Sequence, residues 1–543
     1  MFDGLRNALA KWIAPAKRAG QKTGMRMYAM GRPGRTTAGW GTSTSSEDSE
    51  LQTSLRMSRN RARALIRDAA YAKRAKVIVQ NNVIGSGIGL QAKVKTSRDE
   101  FNTRINDDIE AQWKHWSKRQ HCHMGKALAF ADLERLCMGQ VFDAGEIFIR
   151  KHYTALPGSR VPLALEVIEP ERIADEFTPS PGDPRNTVRL GVEVDPYGAA
   201  VAYFVRVLHP GDYGLQPLTQ DRVERVPAEQ MIHLRSIDRW PQTRAIPWMH
   251  AAARKLNDMD GLTEAEVTAA RGSACYMGFI EPPADNSPSS FESEPQADGS
   301  VQEELEPAIL HKLNPGEKFT GYAPTRPNTQ LDPFMRMMLR EVAAGVGCSY
   351  ESLSRDYSQS NYSSSRLALL DDRDLWKVLQ GWWIRAFREE LHQVWLQQAV
   401  LAGAISSISI IEYANHVEKF EACCFKPRGW GWVDPTKEVA AYKEAVRCGF
   451  TTVSDVVAQT GNGRDFYEIL EEREQELEFM EEKGLVFDTD PSVQANGAPM
   501  ADQDAQSGDS EGDSGAEDTG SLQDDHTVKA AEKMLQVVGR AHA

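Results

Sequence analysis

The sequence predicts a mixed α+β fold that is predominantly helical. Three observations carry this. Apolar residues recur at helical spacing over long stretches, at 58–81, 249–274, 331–344 and 365–402. Short β-rich runs lie between the early helices, at Glu146–Arg150, Leu163–Ile168, Val188–Val194 and Ala200–Val207. Gly, Pro and Asp punctuate those runs, as in PGDP at 181–184 and DPYG at 195–198. A chain of 543 residues exceeds one compact core, so about three or four domain-sized units are expected.

Taken in order, residues 1–49 read as a basic disordered arm. Through Ser45 they hold eight Lys or Arg and one acid, Asp3, and GRPGRTTAGWGTSTSS has no apolar period. From Ser58 to Asn81, Ala62, Leu65, Ala69, Ala72, Lys76 and Val79 share a face. Arg59, Arg61, Arg63 and Arg67 lie off it, which makes a basic amphipathic helix. The stretch NNVIGSGIGLQ at 81–91 follows. A dinucleotide loop needs G-x-G-x-x-G between a strand and a helix. Here the spacing is G-x-G-x-G and the order is helix, bend, strand, so the glycines serve a turn with positive φ. Helices are expected at about Asp99–Ser117 and Gly125–Met138, before the strands.

Past the strands, Met249, Ala253, Leu256, Met259, Leu262, Ala265 and Ala269 mark a helix over 249–274. The Pro-, Ser- and acid-rich run from Glu281 to Pro307 is an exposed excursion, and a helix over Leu331–Ala344 follows it. A long helix over Ser365–Ala402 carries Trp376, Trp382, Trp383, Phe387 and Trp395, a load that suits packing. Asp434-Pro435 starts a helix that stops at Gly449. Thr451 or Thr452 caps another that ends near Gly461, and an acidic helix runs from Arg464 to Lys483, closed by Gly484. Residues 501–525 hold nine acids and no base, so they read as disordered; Val528–Arg540 is a short amphipathic basic stretch.

The totals exclude several classes. With 63 Lys plus Arg against 77 Asp plus Glu, the net charge is −14, which disfavours broad wrapping of duplex DNA. Seven cysteines without a C-x-x-C form no disulfide framework. His121-Cys122-His123 has no second cluster at ligand spacing, so it reads as structural. No secretory leader is evident. The longest apolar-leaning run, Ala399–Ile411, falls short of the ~20 residues of a membrane span, so a soluble chain made in a cytoplasm is expected. There is no H-E-x-x-H or Walker pattern, and the lone G-x-S-x-G, Gly508–Gly512, sits in the acidic tail. No cofactor is called for. Asp371, Asp372 and Asp374 crowd carboxylates on one helix, the reading of a metal-dependent DNA-processing enzyme if they converge and of a solvated face if they do not.

Three stretches are more specific. RNRARALIRDAAYAKRAKVIVQNNVIGSGIGLQ at 59–91, LREVAAGVGCSYESLSRDYSQSNYSSSR at 339–366 and WVDPTKEVAAYKEAVRCGFTT at 432–452 resemble lambda-type portal proteins of tailed phages. Gly145-Glu146 fits a family Gly-acid pair before a strand. The resemblance spans about 50–485 and leaves out the arm, the excursion and the acidic tail.

It implies a portal fold with wing, stem, clip and crown, closing into a homo-oligomeric ring, usually dodecameric, at one capsid vertex. By that implication 50–245 is wing (α+β), 246–275 the first stem helix, 276–330 the clip and 331–349 the second stem helix. Residues 350–364 are then the tunnel loop, 365–431 the long wing helix and return, 432–486 the helical crown and 487–543 the acidic tail. It further implies a non-enzymatic virion channel for genome packaging and ejection, assembled in the host cytoplasm with capsid or scaffold protein. Terminase docks on it, then head-tail joining proteins; no membrane is involved.

In a closed ring each loop residue becomes a ring of copies. Arg355, Tyr357, Gln359, Asn361 and Tyr362 are then the expected contacts to a passing duplex, with Arg336 and Arg340 on the stem. A cytoplasmic scaffold without DNA contact is the remaining alternative.

Overall fold

A computed structural model describes residues 35, 39, 41–42, 44–96, 100–212, 222–274, 278–281, 318–321, 330–431, 435–460 and 466–485. The chain divides into two compact units, at Ile469 and Leu470. Most of the basic arm, most of the excursion, the Asp434 cap, the G-x-S-x-G and the acidic tail lie outside the described residues.

The first helix, Glu47–Asp68, starts well before Ser58 and takes in the end of the expected arm. Ser46 caps it by accepting from Ser49 N, and Glu47, Asp48 and Glu50 complement the positive end of the helix dipole. Leu51 and Leu55 are buried and extend the apolar face. Ala69 is extended (φ −94°, ψ 123°) and breaks the helix before Ala70–Val83. Arg59, expected on the solvated side, is 1% exposed, because a buried carboxylate waits for it.

The glycine bend has the expected order. Gly85 (φ 63°) and Gly87 (φ 121°) turn the chain from Val83 into strand β1, Gly89–Ala92. A Cβ on Gly87 would sit 2.9 Å from that of Ala131, so the bend also needs the space. β1 pairs antiparallel with a strand the sequence did not reveal, Cys423–Lys426, at Gly89↔Lys426 and Ala92↔Cys423.

Thr103–Trp116 and Phe130–Ala144 are the next long helices. Gly145 (φ 85°) ends the latter; a Cβ there would meet Ile246 O at 2.2 Å. Then β2 (Glu146–His152), β3 (Ala164–Ile168), β4 (Thr187–Arg189), β5 (Val192–Val194), β6 (Ala200–Arg206), β7 (Val223–Pro227) and β8 (Met231–Arg235) build two antiparallel sheets, β3-β2-β8 and β4-β5-β6-β7. Side-chain alternation puts β2 between two cores. Ile147 and Ile149 enter the large one with the helices, while Phe148 enters a small one with Val192, Tyr203, Val205 and Val226.

Glu146, fully buried, ties these parts together. Its Oε1 accepts from Arg59 Nη2 (2.8 Å) and from Arg244 Nε (2.8 Å), with Arg244 Nη2 paired to it at 2.7 Å. Oε2 accepts from His233 Nε2 (2.9 Å) and Ala245 N (3.3 Å). Burial alone would raise its pKa, but Arg244, His233 and Arg59 outweigh burial and hold it far below the usual carboxylate range.

Helices His250–Ala274 and Leu331–Val346 pack on each other in the large core through Ala252, Leu256 and Met259 against Met338, Leu339, Val342 and Val346. Between them, β9 (Gly278–Glu281) and β10 (Lys318–Gly321) pair antiparallel as the root of the excursion. The long helix starts at Tyr362, earlier than expected, because Asn361 and Ser364 form a capping box. A π-helical turn, Ile384–Arg388, re-registers it before Glu389–Leu401.

Trp376, Trp383, Phe387 and Trp395 are core residues, as expected. Arg388 is fully buried: Nη2 donates to Ile88 O (2.9 Å), Nη1 lies 3.4 Å from Glu134 Oε2, and Trp113, Phe130 and Phe425 rings flank it. Beyond β11 (Cys423–Lys426), helices Pro435–Arg447 and Val453–Thr460 bury no residue, and Asp455 N donates to Thr452 Oγ1 as a cap (3.1 Å). The last described helix is Phe466–Lys483. No described helix is long and apolar enough to cross a membrane.

Candidate nucleic-acid interface

The expected DNA-contacting residues sit on the connection between the Leu331–Val346 helix and the long helix. Gly347 (φ 85°) ends the first, and a Cβ there would come within 3.0 Å of Leu375 Cδ2. Ser349 then caps a short helix, Tyr350–Ser354, inside the stretch expected to be all loop. Asp372 anchors it from the long helix. Its Oδ1 accepts from Ser349 N and its Oδ2 from Ser349 Oγ and Ser352 Oγ, each at 2.7 Å. Arg74 donates to Ser352 O through Nε and Nη2 (3.3 and 3.2 Å), and Leu353 is buried beneath.

Arg355 follows in the left-handed region (φ 58°), a position unusual for a residue with a side chain, with its N–H on Glu351 O. Asp356 folds inward. It accepts from Ser358 Oγ (2.6 Å), Ser358 N (3.1 Å) and Tyr350 OH (2.9 Å). The Ser358 bonds hold its carboxyl down at about 2. Asn361 closes the loop with its cap on Ser364 N (2.8 Å).

The loop is thus fixed at both ends and at Asp356, while its other side chains face outward. Arg355, Gln359 and Asn361 are exposed, and Tyr357 and Tyr362 are 59% and 60% exposed. Tyr357, Tyr362 and Arg366 line one hollow. Every outward group is a donor or an aromatic, suited to sequence-independent contact with the phosphate-sugar backbone.

The two helix arginines divide. Arg340 is exposed, its guanidinium 5.4 Å above the Tyr350 ring. Arg336 is a brace: its Nε lies 3.0 Å from Asp332 and its Nη2 3.6 Å from Asp356. The side chains that sequence reading missed are Asp356, Tyr350 and Arg74. For Asp356 and Tyr350 the only signal was the D and first Y of SYESLSRDY, and Arg74 had none.

The aspartate cluster does not converge. Asp372 is 6% exposed and committed to Ser349 and Ser352, whereas Asp371 and Asp374 are exposed and Asp374 pairs with Lys377 (3.7 Å). The ligand set of the enzymatic alternative is therefore not formed. Helical spacing leaves Asp371 and Asp374 on neighbouring positions of one face but turns Asp372 away from them, onto Ser349 and Ser352. His121-Cys122-His123 is likewise structural: His121 Nδ1 bonds His115 O (2.9 Å) and the Cys122 thiol meets Ser117 O (3.6 Å). Among the described residues, the group whose ligand atoms do come together is Glu169, Glu171 and His209, where Arg63 already lies 2.9 Å from Glu171.

A family model for phage portal proteins of the lambda family matches residues 33–380. A protein of Halomonas phage phiHAP-1 named "Probable portal protein" is 27% identical over 504 residues, covering 91% of this chain and 94% of that one. "Portal protein B" of Escherichia phage lambda is 23% identical over 471 residues, covering 80% and 86%. A chain from the neck of an empty gene transfer agent particle aligns over 74% of this chain and 93% of its own, at 14% identity and a TM-score of 0.37, too low to carry an argument.

Proposed function

Since the chain belongs to the lambda family of phage portal proteins, we propose that its copies close into a dodecameric ring at one capsid vertex and that duplex DNA passes through the centre. Residues 250–274 and 331–346 act as stem, the excursion rooted on β9 and β10 as clip, and the helices from Pro435 on as crown. The ring assembles in the host cytoplasm with capsid or scaffold protein, receives terminase during packaging and head-tail joining proteins afterwards, and has no enzymatic role of its own.

The observation that carries this reading is the loop after Ser354. Asp356, Asp372 and the Asn361 cap hold its frame, and Arg355, Tyr357, Gln359, Asn361 and Tyr362 are left to solvent. Repeated around a ring, such a loop presents a collar of donors and rings that can follow DNA without selecting a sequence. Duplex DNA carries one charge per ~1.7 Å of axis, and a surface meant for sliding must not hold phosphates tightly. Arg336, already paired with Asp332 and Asp356, adds little grip, and Arg340 adds one free charge beside the loop.

The test is the double variant Arg355→Ala with Tyr357→Ala. Rings should still form, seen by light scattering and negative-stain images. Packaged DNA or DNA retention should fall. Normal phage yield from this variant would refute the assignment of the loop.

A further inference from the structure

The bend at Gly85–Gly87 borders an arginine-lined hollow for which the channel reading has no use. Gly85 and Ser86 come from the bend, Arg135 from the Phe130–Ala144 helix, Arg428 from the segment after β11 and Thr460 from a helix end. Among the described residues no carboxylate lines it.

Arg428 donates from Nη1 to Asn81 O (2.7 Å) and Arg135 from Nη1 to Gly85 O (3.4 Å). Neither meets a carboxylate among the described residues, whereas Arg59, Arg63, Arg244 and Arg388 all do. A guanidinium carries five N–H donors, so most of the donors of both remain open. The Ser86 N–H, between two positive-φ glycines, donates to no described group. Its neighbours Gly85 N and Gly87 N already bond Gln80 O and Ile84 O, so the Ser86 amide adds one donor to the two side chains. Arg373 Nη2 holds Gly431 O of the lining (3.0 Å), with Glu438 as its acidic neighbour.

Two guanidiniums from different elements and a free amide meet one ligand best if it offers several acceptor oxygens. We propose that this hollow is a phosphate-oxyanion site, the phosphate coming from the nucleic-acid backbone or from free phosphate. It is not the dinucleotide loop that the glycines imitate: the anion meets side chains gathered round the bend, and no helix N-terminus is involved.

The test uses the full chain. Inorganic phosphate is titrated by calorimetry, and a short duplex by fluorescence anisotropy over a range of salt, for wild type, Arg135→Gln, Arg428→Gln and Arg428→Lys. Thermal melts check folding. Arg428→Gln also releases Asn81 O; if its melt shows a loss of folding, Arg135→Gln, whose backbone bond is long, carries the test.

Phosphate binding should weaken at least tenfold in Arg135→Gln, and Arg428→Lys should keep part of it. If the source is the backbone, duplex displaces phosphate and the variant's log–log salt slope drops by about one. If the source is free phosphate, phosphate binding falls while duplex binding is unchanged. No phosphate binding by wild type, or equal binding by folded Arg135→Gln, overturns the proposal.

Discussion

Replacing Glu146 with Gln keeps the shape of the buried hub and removes its charge. The amide can offer an oxygen either to Arg59 and Arg244 or to His233 and Ala245 N, never to both sets, and its NH2 then faces donors. Both guanidiniums are within 2% of full burial, so water cannot replace the lost partner. Removing one member of such a buried pair costs about 3–5 kcal/mol, mostly because the remaining charges stay buried. For a body of this size the melting point moves by about 1 °C per kcal/mol, so Glu146→Gln should melt about 3–5 °C below wild type in a calorimetric scan. Asp183→Asn, which breaks the exposed pair with Arg185, is the control and should leave the melt unchanged. A Glu146→Gln melt within 1 °C of wild type would refute the view that this carboxylate holds the first helix, the sheet and the loop around Arg244 together.

Two further outcomes follow from the same structure. Asp372→Ala frees Ser349 N and both hydroxyls on Ser349 and Ser352, at a local cost of about 2–4 kcal/mol; limited proteolysis should shift to the 355–361 loop while the global melt changes little. His392 is held at about 4, first by burial and then by the Arg388 charge. Its unfolded counterpart takes a proton near 6.5, so its contribution is intact above that pH and is lost as pH falls from about 6.5 to about 4. His392→Phe should therefore reduce the slope of stability against pH near pH 5 by about one proton, read from denaturant titrations at a series of pH values; an unchanged slope would contradict it.

Periodic apolar patterning exposed most of the helices, and the glycine spacing exposed the bend, because both are local properties of the chain. What escaped was non-local. Nothing in CCFK announces that it will pair with GLQA, and nothing around Arg59 says that Glu146 will draw it inward. Charge on a helix reads as solvated until the partner is known, which misplaced Arg59 and left Asp372 in a cluster with residues that point elsewhere. The start of the first helix was missed for another reason: Ser46 with Glu47 and Asp48 is a cap signal, but it stands at the end of a polar stretch with no apolar period before it. In the loop, exposed residues were recognisable by type and family resemblance, while Asp356 and Tyr350, which shape it, looked like more of the same polar loop.

The pairing of β1 with β11 sets a schedule for synthesis. At about 5–20 residues per second, Cys423–Lys426 emerges roughly 15–70 s after Gly89–Ala92. Until then β1 has no strand partner on the side that β11 will cover. An unpaired edge is a template for other chains. The nascent chain thus carries β1 without its partner through most of its synthesis, and this small sheet is among the last parts of the described fold to close.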